Sequence, residues 1–85
     1  MRLFLVSVLL VVASATRAAA GSFGDGLSAY ESGDYAQAMN HWQPLAAQGD
    51  AAAQFNVGLM YRHGQGVTQD FQEALKWYRK AAEQG

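Results

Sequence analysis

Apolar and polar positions alternate along most of this chain with the period of a helix. From Tyr35 the apolar set is 35, 38, 39, 42, 45 and 46, and from Phe71 it is 71, 74, 75, 78, 81 and 82. Both sets follow the i, i+3, i+4, i+7 rule of an amphipathic α-helix. Asp34 and Asp70 precede these runs as N-caps, and Gln37 and Glu73 stand three residues on, where a capping box returns the bond. Gly49 and Gly85 occupy the positions where a helix takes a left-handed C-terminal residue, and Asp50 is placed to cap the helix that follows. Pro44 lies inside the first of these helices, which predicts a kink near Met39 and Asn40 or an early end.

Between them, Ala51 to about Arg62 carries two apolar stripes. One is Ala53, Val57, Met60 and Tyr61; the other is Ala52, Phe55 and Leu59, roughly 150° away at about 100° per residue. A helix of this kind is covered at least in part on two sides. Gly58 lies beside the first stripe, where a missing side chain lets another helix approach closely. A weaker helix, about Asp25 to Ser32, has Leu27 and Tyr30 as anchors, and Gly21, Gly24 and Gly26 predict a frayed start.

These helices belong to a repeat. Asp34-Tyr35-Ala36-Gln37-Ala38 returns as Asp70-Phe71-Gln72-Glu73-Ala74, Trp42 returns as Tyr78, Ala46 as Ala82 and Gly49 as Gly85, all 36 residues on. Upstream the offset is 31, since Tyr30 and Gly33 answer to Tyr61 and Gly64. The second copy therefore carries five extra residues, Gln65 to Gln69, between its helices.

The opening of the chain reads differently. Met1 and Arg2 precede an uncharged run from Leu3 to Ala13, and Ser14 to Ala20 is small and polar, ending Ala18-Ala19-Ala20. That is the layout of a secretory signal peptide, with cleavage expected after Ala20. Its apolar run of about eleven residues is short of the roughly 20 that a membrane-spanning helix needs. Once it is removed no stable membrane span is expected, and the product is exported, periplasmic or secreted. The remaining 65 residues are about 43% hydrophobic, as in ordinary soluble domains, which argues against disorder. They carry four Lys and Arg against seven Asp and Glu, a net charge of −3. A mildly acidic chain lacks the basic stripe that nucleic-acid binding requires.

Candidate chemistry is sparse. With no cysteine there is no disulfide, thiolate zinc site or Cys nucleophile. His41 and His63 are the only histidines, too few for a zinc site without converging carboxylates. Gly64-Gln65-Gly66 lacks the flanking strand and Lys of a phosphate cradle and reads as a turn. Asp70 and Glu73 are accounted for by capping, and Ser22, Ser28 and Ser32 have no His and Asp partners in order. No cofactor and no enzymatic activity are expected.

The run from Ala51-Ala52-Ala53-Gln54-Phe55-Asn56-Val57-Gly58-Leu59-Met60-Tyr61 through Gly64-Gln65-Gly66-Val67, Asp70, Ala74, Trp77-Tyr78-Arg79-Lys80-Ala81-Ala82 and Gln84-Gly85 resembles the Sel1-like repeat. This is the branch of the tetratricopeptide superfamily with a longer inter-helix loop. Residues 23–49 resemble a plain tetratricopeptide unit with the short Gly33-Asp34 turn. The expected organisation is a signal peptide over 1–20, a tetratricopeptide-like helix pair over 21–49 and a Sel1-like repeat over 50–85.

The resemblance implies an all-α fold, an α/α superhelical solenoid of antiparallel helix pairs with about four helices and right-handed stacking. It also implies a concave groove for a peptide or protein partner, lined by Ser28, Glu31 and Ser32 from the first unit and by Ala52, Phe55, Leu59, Arg62 and His63 from the second. Arg62 meets a partner's carboxylate there, pairs with Glu31, or is a solvated surface arginine. The expected role is an exported protein–protein interaction module or scaffold. The alternatives are an envelope enzyme of β-lactamase-like or carbohydrate-active kind, for which no catalytic set is present, and the front part of a longer repeat scaffold. The far side of the last helix has no capping helix, so self-association through that end is a further expectation.

Overall fold

The structure, a computed structural model, describes residues 21–84; the expected leader and the expected Gly85 cap lie outside the described residues. Four α-helices follow one another: α1 (Phe23–Glu31), α2 (Tyr35–Ala47), α3 (Ala51–His63) and α4 (Phe71–Glu83). Each packs against its neighbour in sequence. The described residues thus form two α-hairpins in tandem, with no strand and no helix long and apolar enough to cross a membrane.

Side chains set where each helix begins. Ser22, Asp34, Asp50 and Asp70 accept bonds from backbone N–H groups of the first turns of α1 to α4. The shortest is Ala53 N–H to Asp50 Oδ1 at 2.9 Å. Only half of each expected capping box forms. The Gln37 oxygen accepts from Asn40 Nδ2 at 2.9 Å, and Glu73 pairs with Lys76 at 2.6 Å. These i+3 partners draw the side chains along the helix surface, away from the cap. Hydrogen bonding to Glu73 and its negative charge hold the exposed Lys76 ammonium above its usual range.

α2 runs on past Pro44 to Ala47, so the expected early end does not occur. Pro44 stands in the last turn, where its missing N–H deprives only the carbonyl of Asn40 of a helical partner. Asn40 is exposed, and water can serve that carbonyl.

The core joins both hairpins. Ala38, Met39, Trp42 and Ala46 of α2 meet Ala53, Val57 and Met60 of α3 in one buried cluster. The first α3 stripe is therefore covered, Ala53, Val57 and Met60 completely and Tyr61 in part. Gln54, 5% exposed, lies beside it, and its amide donates to the Ala46 carbonyl at 3.1 Å. On the other flank Gly58 meets α4: a Cβ there would come within 2.7 Å of the Tyr78 ring and 3.2 Å of the Ala74 carbonyl. The close approach expected at Gly58 is what forms.

Gly26 has the same role in the first hairpin, contrary to the frayed start expected of α1. It is buried, and a Cβ there would enter the Trp42 indole. The ring fills that notch, packs 5.7 Å from the centroids of both Phe23 and Tyr30, and donates from Nε1 to the Phe23 carbonyl at 3.1 Å. α1 thus begins at Phe23, held down by the indole of α2.

The five extra residues of the second unit fold back on the first. Tyr30 Oη donates to Gln65 Oε1 at 2.9 Å, and Val67 packs on the core cluster. Gly66, at φ +74°, presses its backbone on the start of α2, so close that a Cβ would lie 2.7 Å from the Tyr35 carbonyl oxygen. Gln65 N–H, Gln69 Nε2 and Asp70 N–H donate to the carbonyls of Met60, Arg62 and Tyr61, which satisfies the open C-terminal end of α3.

Candidate functional site

Two of the hollows among the described residues bear on the expected groove. The first is a cleft of about 130 Å³ between α1 and α3, lined by Leu27, Tyr30, Trp42, Asn56 and Leu59. Its floor is the Trp42 indole, fixed by Gly26 and the bond to Phe23. The walls are apolar apart from the Asn56 amide and the Tyr30 hydroxyl, which already donates to Gln65. A volume of this order takes one apolar side chain, with an amide at hand for the chain that carries it.

The second hollow, about 290 Å³, lies between α3 and α4 and is lined by Arg62, Phe71, Ala74, Leu75 and Tyr78. Phe55 stands near it, its ring centroid 5.4 Å from that of Tyr78.

The residues expected to line one groove are therefore divided. Leu59 alone of the eight lines the α1–α3 cleft. Arg62 lines the second hollow, and no ion pair joins it to Glu31 or another carboxylate among the described residues. Phe55 is half exposed and turned to Tyr78. Ala52 and His63 are exposed on α3; Ser28 and Glu31 are exposed on α1, and Ser32, also exposed, spends its hydroxyl on the Ala29 carbonyl at 2.9 Å. Leu27, Tyr30, Asn56 and Trp42 complete the cleft without having been expected there. A signal for Asn56 was present, since it stands three residues before Leu59 and so shares its face. Leu27, 42% exposed, was equally readable as a helix anchor.

Trp77 is half buried against the core cluster, with Lys80 Nζ 5.2 Å above its ring. Among the described residues no group of His, Asp and Glu is arranged to hold a metal ion.

Tandem α-hairpins with a shared core define a helical-repeat protein of the α-solenoid class. The Sel1 repeat family model matches residues 14–50 and again 51–85. The chain belongs to the Sel1 repeat family. The first unit falls within it despite its short turn.

Curated relatives are similar over parts of the chain. An exopolysaccharide production negative regulator of Rhizobium leguminosarum is 36% identical over 63 residues, 74% of this chain and 24% of its own length. The ERAD-associated E3 ubiquitin-protein ligase component HRD3 of Candida glabrata is 38% identical over 50 residues, 59% of this chain and 6% of its own. The mouse DAP3-binding cell death enhancer 1 is 40% identical over 45 residues, 53% of this chain and 9% of its own. The chain thus spans a quarter or less of the length of these relatives. No solved structure matches.

Proposed function

We propose that this chain is an exported, non-catalytic interaction module that holds a segment of a peptide or protein partner in the α1–α3 cleft. The observation that carries this reading is the cleft itself, a pre-formed apolar socket on a rigid indole floor with one uncommitted amide, Asn56, on its wall. An apolar anchor residue entering it would displace water from Leu27, Trp42 and Leu59 while the Asn56 amide bonds to the guest's backbone. The relatives agree in kind: one is named as a component of a ligase assembly and another as a binder of a protein. Export rests on the pattern of residues 1–20 and places the module in the periplasm or outside the cell.

Selection of guests from a displayed peptide library, followed by titration calorimetry, tests the cleft. The expected guests share one apolar anchor, and Leu27→Asp weakens them at least tenfold while the melting temperature stays within about 5 °C, because Leu27 is 42% exposed and lies outside the buried core. Guests that bind Leu27→Asp and Leu59→Ala as well as the parent place the site elsewhere. Export is tested separately by N-terminal sequencing of the secreted chain, which should begin at Gly21.

A further inference from the structure

Charge is divided along the described residues. Residues 21–61 carry Asp25, Glu31, Asp34 and Asp50 and neither Lys nor Arg; Arg62, Lys76, Arg79 and Lys80 all come later. Two of these cations are engaged, Lys76 with Glu73 and Lys80 over the Trp77 ring. The other two, Arg62 and Arg79, are exposed and paired with no carboxylate among the described residues. Both border the same apolar ground. Arg62 lines the α3–α4 hollow of about 290 Å³ together with Phe71 and Leu75. Arg79 stands one turn beyond Leu75 on α4, where side chains at i and i+4 are neighbours. Phe71 and Leu75 are 63% and 51% exposed, so an open apolar pair has a free guanidinium on two of its borders.

We propose that this face is a second docking surface, separate from the α1–α3 cleft, and that it takes an acidic amphipathic helix of a partner protein. The guest's apolar stripe seats on Phe71, Leu75 and the Tyr78 ring, and carboxylates flanking that stripe meet Arg62 and Arg79. Exposed ion pairs add little affinity, so the apolar contact holds the guest and the two guanidiniums select it. The first hairpin, with four carboxylates and no Lys or Arg, repels the same guest, and the two surfaces thereby sort partners by charge. An anionic membrane does not match: two free cations fall short of the cluster of about four to eight that such recognition uses, and residues 21–85 carry a net charge of −3. Nor does a second copy. Among the described residues its exposed large apolar side chain with a carboxylate one turn away is Leu27, followed by Glu31, which offers one carboxylate for two guanidiniums.

Fluorescence anisotropy with three labelled synthetic helical peptides tests this. All carry Leu at i, i+4 and i+7, with flanking positions of Glu in the first, Gln in the second and Lys in the third. The Glu peptide should bind the full chain at least fivefold more tightly than the Gln peptide, and the Lys peptide more weakly than either. Leu75→Asp should weaken the Glu peptide at least tenfold. Arg62→Gln combined with Arg79→Gln should reduce the preference for Glu over Gln to less than twofold, and Leu27→Asp, in the cleft, should change neither value. These sites are exposed, so circular dichroism should place every variant within about 5 °C of the parent; should Leu75→Asp fall outside that range, the double arginine variant decides alone. No binding of the Glu peptide, equal affinity for the Glu and Gln peptides, or a loss under Leu27→Asp with none under Leu75→Asp overturns the proposal. So does co-sedimentation of the chain with phosphatidylglycerol vesicles that the arginine substitutions abolish, which assigns the face to a membrane. Dimerisation of the parent in sedimentation equilibrium that Leu75→Asp removes assigns it to a second copy, and overturns the proposal equally.

Discussion

Replacing Gly66 by alanine isolates what the returning loop contributes to the fold. The residue sits at φ +74°, where an L side chain costs about 1–2 kcal/mol by itself. Its new Cβ would also meet the Tyr35 carbonyl at 2.7 and 2.8 Å from oxygen and carbon. Those atoms belong to the first turn of α2 and have little room to yield, so the loop must lift. The bond from Tyr30 to Gln65 then goes, a net loss of about 0.5–1.5 kcal/mol, with part of the Val67 burial, up to about 1 kcal/mol for a half-covered side chain. The expected loss is about 2–4 kcal/mol, or about 10–25 °C in the melting temperature of a domain this small. Gly33→Ala is the control: φ is +87°, but nothing lies within 4 Å of the new atom, so only the conformational cost applies and the drop should stay near 5–12 °C. Thermal and urea unfolding followed at 222 nm compares the two. Equal drops would show that the loop does not bear on the first hairpin, and the account of how the units are joined would fail.

Two further outcomes follow from the same packing. Gly58→Ala should destabilise by about 1–3 kcal/mol in urea titrations, since its methyl group must push the Tyr78 ring off α3; a gain, as helix propensity alone predicts, refutes the tight α3–α4 contact. Tyr78→Phe should be neutral or raise stability by up to about 1 kcal/mol, because the Tyr78 hydroxyl is buried with no protein partner; a loss above about 1 kcal/mol would reveal a bond that the structure does not show.

The helices were legible because their determinants are local. Asp34, Asp50 and Asp70 mark starts within three residues of the groups they satisfy, and the periodic runs beginning at Tyr35 and Phe71 show which faces turn inward. Gly58 was also readable, standing beside a stripe that had to be covered. Gly26 was not: its low helix propensity is a local property, whereas the indole that occupies its place comes from 16 residues further on. The turn at the loop was read and forms, but its reach was not, for a similar reason. Gly64 and Gly66 announce a turn, but nothing in their neighbourhood tells that Gln65 reaches back 35 residues to Tyr30. The cleft suffered most, because its lining comes from three helices and family positions carry across by number along one helix at a time. Phe55 and Arg62 share a helix with Leu59 yet fall on the side of α4.

Tyr30 has two engagements, one edge on the socket and its hydroxyl on Gln65. Whatever immobilises that ring from the socket side also tightens the tether on the other, and by reciprocity a loosened tether weakens the grip on the guest. Occupancy should therefore be audible at a distance: backbone amides of residues 65–70 would exchange their hydrogens more slowly in the loaded protein although no guest atom touches them. The five-residue insertion would then act as a gauge of occupancy as well as a connector.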